Sequence, residues 1–229
     1  MKNFAFIFAR GGSKGLPGKN IKPLAGKPLL QYSIDTATAA PSIEKVFVST
    51  DDTAIAKIAI ANGAILIDRP PELASDTSPE WLSWRHAINW AFENYGSFDG
   101  FVSLPATSPL RSVEDIEAAI MQRTKQRADI CISITPASRS PYFNMVKIVD
   151  NGLVELVNSP QGEVARRQDA PAVFDITTVV YATTPTFVLE NYGIFSGHVT
   201  SIEVPKERAV DIDDIYDFRL AEAIISEQK

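Results

Sequence analysis

The stretch FAFIFARGGSKGLPGKN, Phe4 to Asn20, joins an apolar run to a loop that holds three cations and four glycines between Arg10 and Asn20. A connection that only reverses the chain needs one or two glycines and gains nothing from crowded positive charge. Glycines let backbone N–H groups come close to an anion, and Arg10, Lys14 and Lys19 together neutralise several negative charges. A polyphosphate suits such a loop; a solvated basic turn with incidental glycines is the plainer alternative. Spacing excludes two familiar phosphate loops. In G-x-x-x-x-G-K-[ST], Ser13 stands where the first glycine belongs and Asn20 follows the lysine, and G-x-G-x-x-G finds no match.

Working outward, short β-branched and aromatic runs alternate with helical patterns. FAFIFA (Phe4–Ala9), KVFVST (Lys45–Thr50), AILI (Ala64–Ile67), GFVSLP (Gly100–Pro105) and DICISIT (Asp129–Thr135) read as strands, with helices starting near Pro28, Thr53, Pro79 and Val113. That order predicts an α/β fold, a Rossmann-like and mostly parallel sheet with helices on both faces and ligands at the carboxyl ends of the strands. The opening loop occupies such an end. From Pro136 to about Phe174 the rhythm changes. There NMVKIVDNGLVELV places two strand-like runs around Asp150-Asn151-Gly152, a hairpin signal. The expectation is one domain, 1–229, with 136–174 inserted as a hairpin arm. A strand at ITTVVYAT (Ile176–Thr183), another near Val199–Val204 and a helix from about Asp214 complete the chain.

Composition narrows the function. The 229 residues are 45% hydrophobic and 22% charged, enough for a sizeable core. A net charge of −6 argues against a general nucleic-acid binder. No apolar run reaches the roughly 20 residues of a membrane span, and the first residues lack a secretory pattern, so no membrane partner and a cytoplasmic location are expected. Cys131, the single cysteine, lies in the apolar run ICISI and reads as a buried thiol. His86 and His198 lack ligand-like spacing.

The segments ARGGSKGLPGKN, VSTDD, DRPPELASDTS, ATSPLR, RRQD and VDIDDIYDF, in this order and at similar spacing, resemble the acylneuraminate cytidylyltransferases of the bacterial type, the CMP-sialic acid synthetases. The resemblance implies a nucleotide-sugar transferase variant of the Rossmann sheet, with an arm that helps form a homodimer. It implies that CMP passes from CTP to the anomeric hydroxyl of a nonulosonic acid, with release of pyrophosphate. On this likeness Arg10 and Lys19 are catalytic, and Ala9, Ser13, Lys14 and Asn20 join Arg10 at phosphate or ribose. Arg69 with Ala74, Ser75, Asp76 and Thr77 falls at cytosine or ribose; a surface ion pair is the plainer reading of Arg69. Arg111 stands at the crevice mouth, where helix entry and sugar contact compete. Arg166 and Arg167 fall at a paired-arginine position near sugar or phosphate.

Asp211 and Asp213 are two apart in VDIDDIYD, so an extended backbone turns both carboxylates to one side and Ile212 to the core. One or two carboxylates plus substrate phosphates suit Mg2+, and Asp213 is the candidate for assisting proton removal. Helix capping by Asp213 or Asp214 explains one aspartate but not the pair. The chain departs from the family at Pro105-Ala106, where many members carry a glutamine, and at Thr177-Thr178, where they carry Asn-Gly. Asp175 replaces an arginine of some members. The first two places are associated with the acceptor sugar, so sugar choice is open among sialic-acid-like nonulosonic acids. The alternatives are another NTP or a sugar 1-phosphate as substrate, or a non-catalytic nucleotide-sugar-binding protein.

Overall fold

Phe4 and Phe6 alternate with Ala5 and Ile7 along the first strand, and all four are wholly buried. A strand covered on both faces belongs inside a sheet flanked by two helical layers. The computed structural model, which describes residues 1–159 and 166–227, places it there. The elements follow as β1 (Asn3–Phe8), short β2 (Pro23–Leu24) and β3 (Lys27–Pro28), α1 (Leu29–Ala39), β4 (Ile43–Thr50), α2 (Thr53–Ala61) and β5 (Ile65–Asp68). Then come α3 (Glu80–Tyr95), β6 (Gly100–Ser103), α4 (Val113–Gln126), β7 (Ile130–Pro136), β8 (Val146–Ile148) and β9 (Val154–Leu156). The chain closes with β10 (Phe174–Thr183), α5 (Pro185–Glu190), β11 (Val199–Glu203) and α6 (Ile215–Glu227).

The main sheet has seven strands in the order β11-β7-β10-β6-β1-β4-β5. Every neighbouring pair is parallel except those of β10, which runs antiparallel to β6 and β7. On one face Ala5, Ile7 and Val48 meet Leu30 and Ile34 of α1, Ile55 of α2 and Ile116 of α4. On the other, Phe4, Phe6, Phe47 and Phe101 meet Trp84 and Ile88 of α3. Phe6 stacks on Phe47 and Phe101 at 5.0 and 4.7 Å, and such pairs add about 0.5–1.5 kcal/mol beyond their burial. Cys131 is fully buried, and burial pushes its thiol up to about 12.

Helix starts carry their own signals. The Asp52 side chain accepts from the Ala54 and Ile55 amides at 2.7 and 2.9 Å to open α2, and Ser112 with Asp115 forms a capping box at α4. The anticipated strands and helices are present. The β2–β3 ribbon and α5 were not anticipated, and the reversed direction of β10 could not be read from element order.

Between β7 and β10 the chain leaves the main sheet. β8 and β9 pair only with each other, Val146 opposite Leu156 and Ile148 opposite Val154, around a turn at Asp150–Gly152. Gly152 has φ 80°, which favours glycine. Residues 160–165 of the expected arm lie outside the described residues.

One irregularity positions the site. β10 pairs Thr177 with Ser133 and then Tyr181 with Ile132, so Thr178, Val179 and Val180 bulge out between successive partners on β7. Buried carbonyls freed by a bulge need donors. Ser133 Oγ faces the carbonyls of Thr177 and Val180 at 3.1 and 3.3 Å and accepts from the Val180 amide at 3.1 Å. Arg111 reaches the remaining two, donating Nε to Val179 O and Nη2 to Thr178 O at 3.3 Å.

Candidate active site

The loop after β1 closes over the C-terminal aspartate segment because glycine permits it. A Cβ on Gly15 would run into the carbonyl oxygen of Asp213, so only glycine lets the two backbones touch. Gly18 takes φ 66° and starts the short 3-10 turn Lys19–Ile21, and buried Asn20 ties the loop shut by donating Nδ2 to Arg10 O at 3.1 Å. Arg10, Ser13, Lys14 and Lys19 then line one side of a cavity of about 600 Å3 at the carboxyl end of β1. Pro105, Ala106 and Thr107 line it from the loop after β6, Thr178 and Tyr181 from β10, Ser75, Asp76 and Ser78 from the segment between β5 and α3, and Glu80 from the start of α3.

Each loop cation is held by an aspartate. Arg10 Nη1 and Lys14 Nζ lie 2.7 and 2.5 Å from the two oxygens of Asp76, and hydrogen bonds from Lys14 and Arg10 keep that carboxyl below its usual range. Lys19 Nζ donates to Ile212 O at 2.6 Å and to Asp213 Oδ1 at 3.3 Å. Arg69 is buried at the end of β5, donating Nε and Nη2 to Ser49 Oγ and O at 3.1 and 2.7 Å, with its guanidinium 5.6 Å from the Phe8 ring centre. Burial lowers its pKa, and its edge lines the cavity.

The aspartate segment alternates as an extended chain must. Ile212 is fully buried and its amide donates to Thr107 O at 2.9 Å, while Asp213 faces the cavity. Asp211 is recessed, and its Oδ1 is buried without a hydrogen-bond partner among the described residues. Burial raises its pKa, opposed by hydrogen bonds from Thr107 and Thr178 and reinforced by the charge of Asp213. A hard cation fits this pair: a desolvated carboxylate oxygen without a donor, beside a second carboxylate that opens on the cavity.

Against this geometry, the family described as Cytidylyltransferase matches residues 4–213. The chain belongs to the cytidylyltransferase family. It is 33% identical to the "Post-translational flagellin modification protein B" of Campylobacter coli, across 97% of this chain and 94% of that one. It is also 33% identical to the "CMP-N,N'-diacetyllegionaminic acid synthase" of Campylobacter jejuni, across 96% and 93%. Its fold is similar to that of a CMP:2-keto-3-deoxy-manno-octonic acid synthetase complexed with CTP, with a TM-score of 0.75, 17% identity and full coverage of both chains.

Within this cytidylyltransferase fold, several expected site residues stand elsewhere. Arg111 is not at the mouth. It is buried beneath the floor, with Nη1 donating to Ser33 Oγ and Nη2 to Pro105 O at 2.9 and 2.8 Å, besides its bonds to the bulge. Burial pulls its pKa to about 9. Thr177 is likewise buried, its Oγ1 2.8 Å from Ser133 Oγ, whereas Thr178 reaches the cavity with Oγ1 2.6 Å from Ser108 Oγ. Ala9 is core, its amide bonded to Ser49 O at 3.1 Å. Ala74 presents its carbonyl to Arg10 at 3.3 Å, and neither Ala74 nor Thr77 lines the cavity. Arg166 is exposed and paired with Asp169 at 2.9 Å and does not line the cavity; the Arg167 side chain lies outside the described residues.

Sequence reasoning missed Glu80 and Tyr181. Both line the cavity, and Trp84 links them: its Nε1 donates to Glu80 Oε1 at 3.2 Å and its ring lies 5.7 Å from that of Tyr181. Glu80 is exposed where it lines the cavity; desolvation by the surrounding protein raises its pKa, opposed by the hydrogen bond from Trp84. The signal available in the sequence was an acid directly after Pro79, easily taken for ordinary first-turn charge.

Proposed function

We propose that this cytidylyltransferase moves CMP from CTP to the anomeric hydroxyl of a nonulosonic acid and releases pyrophosphate. One observation carries the reading: a cationic loop closes on Asp213, with Asp211 recessed behind it, at one side of a cavity whose remaining wall is rich in hydroxyls. The relative named for CMP-N,N'-diacetyllegionaminic acid supports the acceptor class.

Reaction is in-line attack of the hydroxyl on the α-phosphorus, so charge grows on the leaving pyrophosphate. Arg10 and Lys19 meet that charge, Lys14 and Ser13 add contacts along the triphosphate, and Arg69 approaches the nucleoside. Asp211 and Asp213 would hold Mg2+, which supplies neutralisation of the phosphate oxygens and a more acidic attacking hydroxyl. Asp213, on the cavity side of the pair, takes the proton. The protein works as a cytoplasmic homodimer. Val146, Ile148 and Val154 are 58, 79 and 61% exposed, and the register puts them on one apolar face of a ribbon too thin to bury it. A second subunit covers that face and brings Arg166 and Arg167 toward its crevice.

The test is a pyrophosphate-release screen of four NTPs against nonulosonic acids and sugar 1-phosphates. CTP with a nonulosonic acid should far exceed every other combination. Equal turnover with GTP, a preference for UTP, or use of a sugar 1-phosphate alone would overturn the assignment.

A further inference from the structure

We infer that Glu80 selects the acceptor, taking a hydrogen bond from an N–H or O–H at the end of the sugar remote from its carboxylate. The inference rests on the function proposed above and adds a specificity-determining residue to it.

An acid in a cavity built for two anionic substrates needs a reason. Glu80 opens α3 and lines the cavity with Tyr181 and Ser83, while the loop cations pair with Asp76 and Asp213. Its Oε1 is fixed by the indole N–H of Trp84, itself buried and stacked 5.1 Å from Trp81. Among the described residues no hydrogen bond or ion pair reaches Oε2. The charges of Arg69 and Asp211 act on it in opposite directions, and Arg69 is tied to Ser49. The carboxylate is therefore held at one oxygen by Trp84 and open to the cavity at the other, where a bound group can donate a charge-assisted hydrogen bond.

Charge decides which group that is. Like-charge repulsion keeps the triphosphate off Glu80 and with Arg10, Lys14 and Lys19. In a 2-ulosonic acid the carboxylate is attached to the anomeric carbon, and that carbon must reach the α-phosphorus beside Lys19 and Asp213. The acid end of the sugar is thereby drawn to the cations and repelled from α3. Its distal end, with hydroxyl or acylamino donors, turns to Glu80. An acceptor presenting a methyl or carbonyl there forgoes the charge-assisted bond to Glu80 and binds more weakly.

The test uses Glu80→Gln, which keeps an oxygen for Trp84 and removes the charge. Trp84 also provides the readout, since tryptophan fluorescence follows occupancy beside it. The CDP-saturated protein cannot turn over and is titrated with N-acetylneuraminate, N,N'-diacetyllegionaminate and pseudaminate. For the tightest-binding sugar, Glu80→Gln should raise Kd about tenfold, the difference between a charge-assisted and a neutral hydrogen bond, while the Kd for CDP stays within twofold and the melting temperature is unchanged. An unchanged sugar Kd, a parallel rise in the CDP Kd (which would place Glu80 at the cytosine amine), or no response of the wild type to any sugar overturns the inference. Failure of the wild type to release pyrophosphate with every acceptor overturns the function instead, and the two failures are read in separate experiments.

Discussion

Arg111 shows how a residue's role can be set by a neighbour far along the chain. Read from ATSPLR, it is a cation beside a crevice. In the fold it is the donor that satisfies a bulge in β10, and that bulge places Thr178 and Tyr181 in the cavity. Nothing local in the sequence announces the bulge, because it exists only against Ser133 on another strand. Arg111→Met should leave buried carbonyls without donors, at about 1–3 kcal/mol each, and lower stability by at least about 3 kcal/mol in urea denaturation. Unaltered stability with weakened sugar binding would return Arg111 to the sugar site. Lys19 and Asp213, by contrast, were legible as residue types, since a polyphosphate site needs both cations and a metal-holding acid. Asp211→Asn and Asp213→Asn should each fold normally and lose turnover on the order of 100-fold at low magnesium. Excess magnesium should rescue Asp211→Asn better if, as proposed, Asp213 also takes the proton. Equal rescue would remove that second role from Asp213.

At the scale of elements, most of the sheet was readable because its strands are buried on both faces and carry unbroken apolar runs, while turns and caps mark the helices. The loop was readable from the clash between its glycines and its charges. Its closure on Asp213 was not, since it depends on contact between Gly15 and a residue almost two hundred positions away. The direction of β10 was hidden for a related reason. The inserted ribbon returns the chain beside β7 without a crossover helix, and a strand that returns in this way runs antiparallel. The ribbon itself was visible in Asp150-Asn151-Gly152. If its apolar face meets a second copy, Ile148→Asp with Val154→Asp should shift sedimentation from dimer to monomer without lowering the melting temperature of the subunit fold by more than a few degrees. A wild type that sediments as a monomer at working concentration would exclude that arrangement.

For the whole molecule, the net charge of −6 and the cationic loop pull in opposite directions, and Asp76 reconciles them. A carboxylate fixed to the same chain acts on Arg10 and Lys14 as a tethered competitor whose effective concentration no dilution can lower. Orthophosphate, sulfate or a lone nucleic-acid phosphate must displace it with a single weak grip, whereas a triphosphate engages several cations at once and wins by chelation. Asp76 should therefore discriminate among anions by valency. Asp76→Asn should lower the KM for CTP yet make turnover sensitive to millimolar orthophosphate and more strongly inhibited by pyrophosphate; a raised KM would instead mean that Asp76 touches the nucleotide. Such a filter would keep the site available to CTP in the presence of excess simple anions.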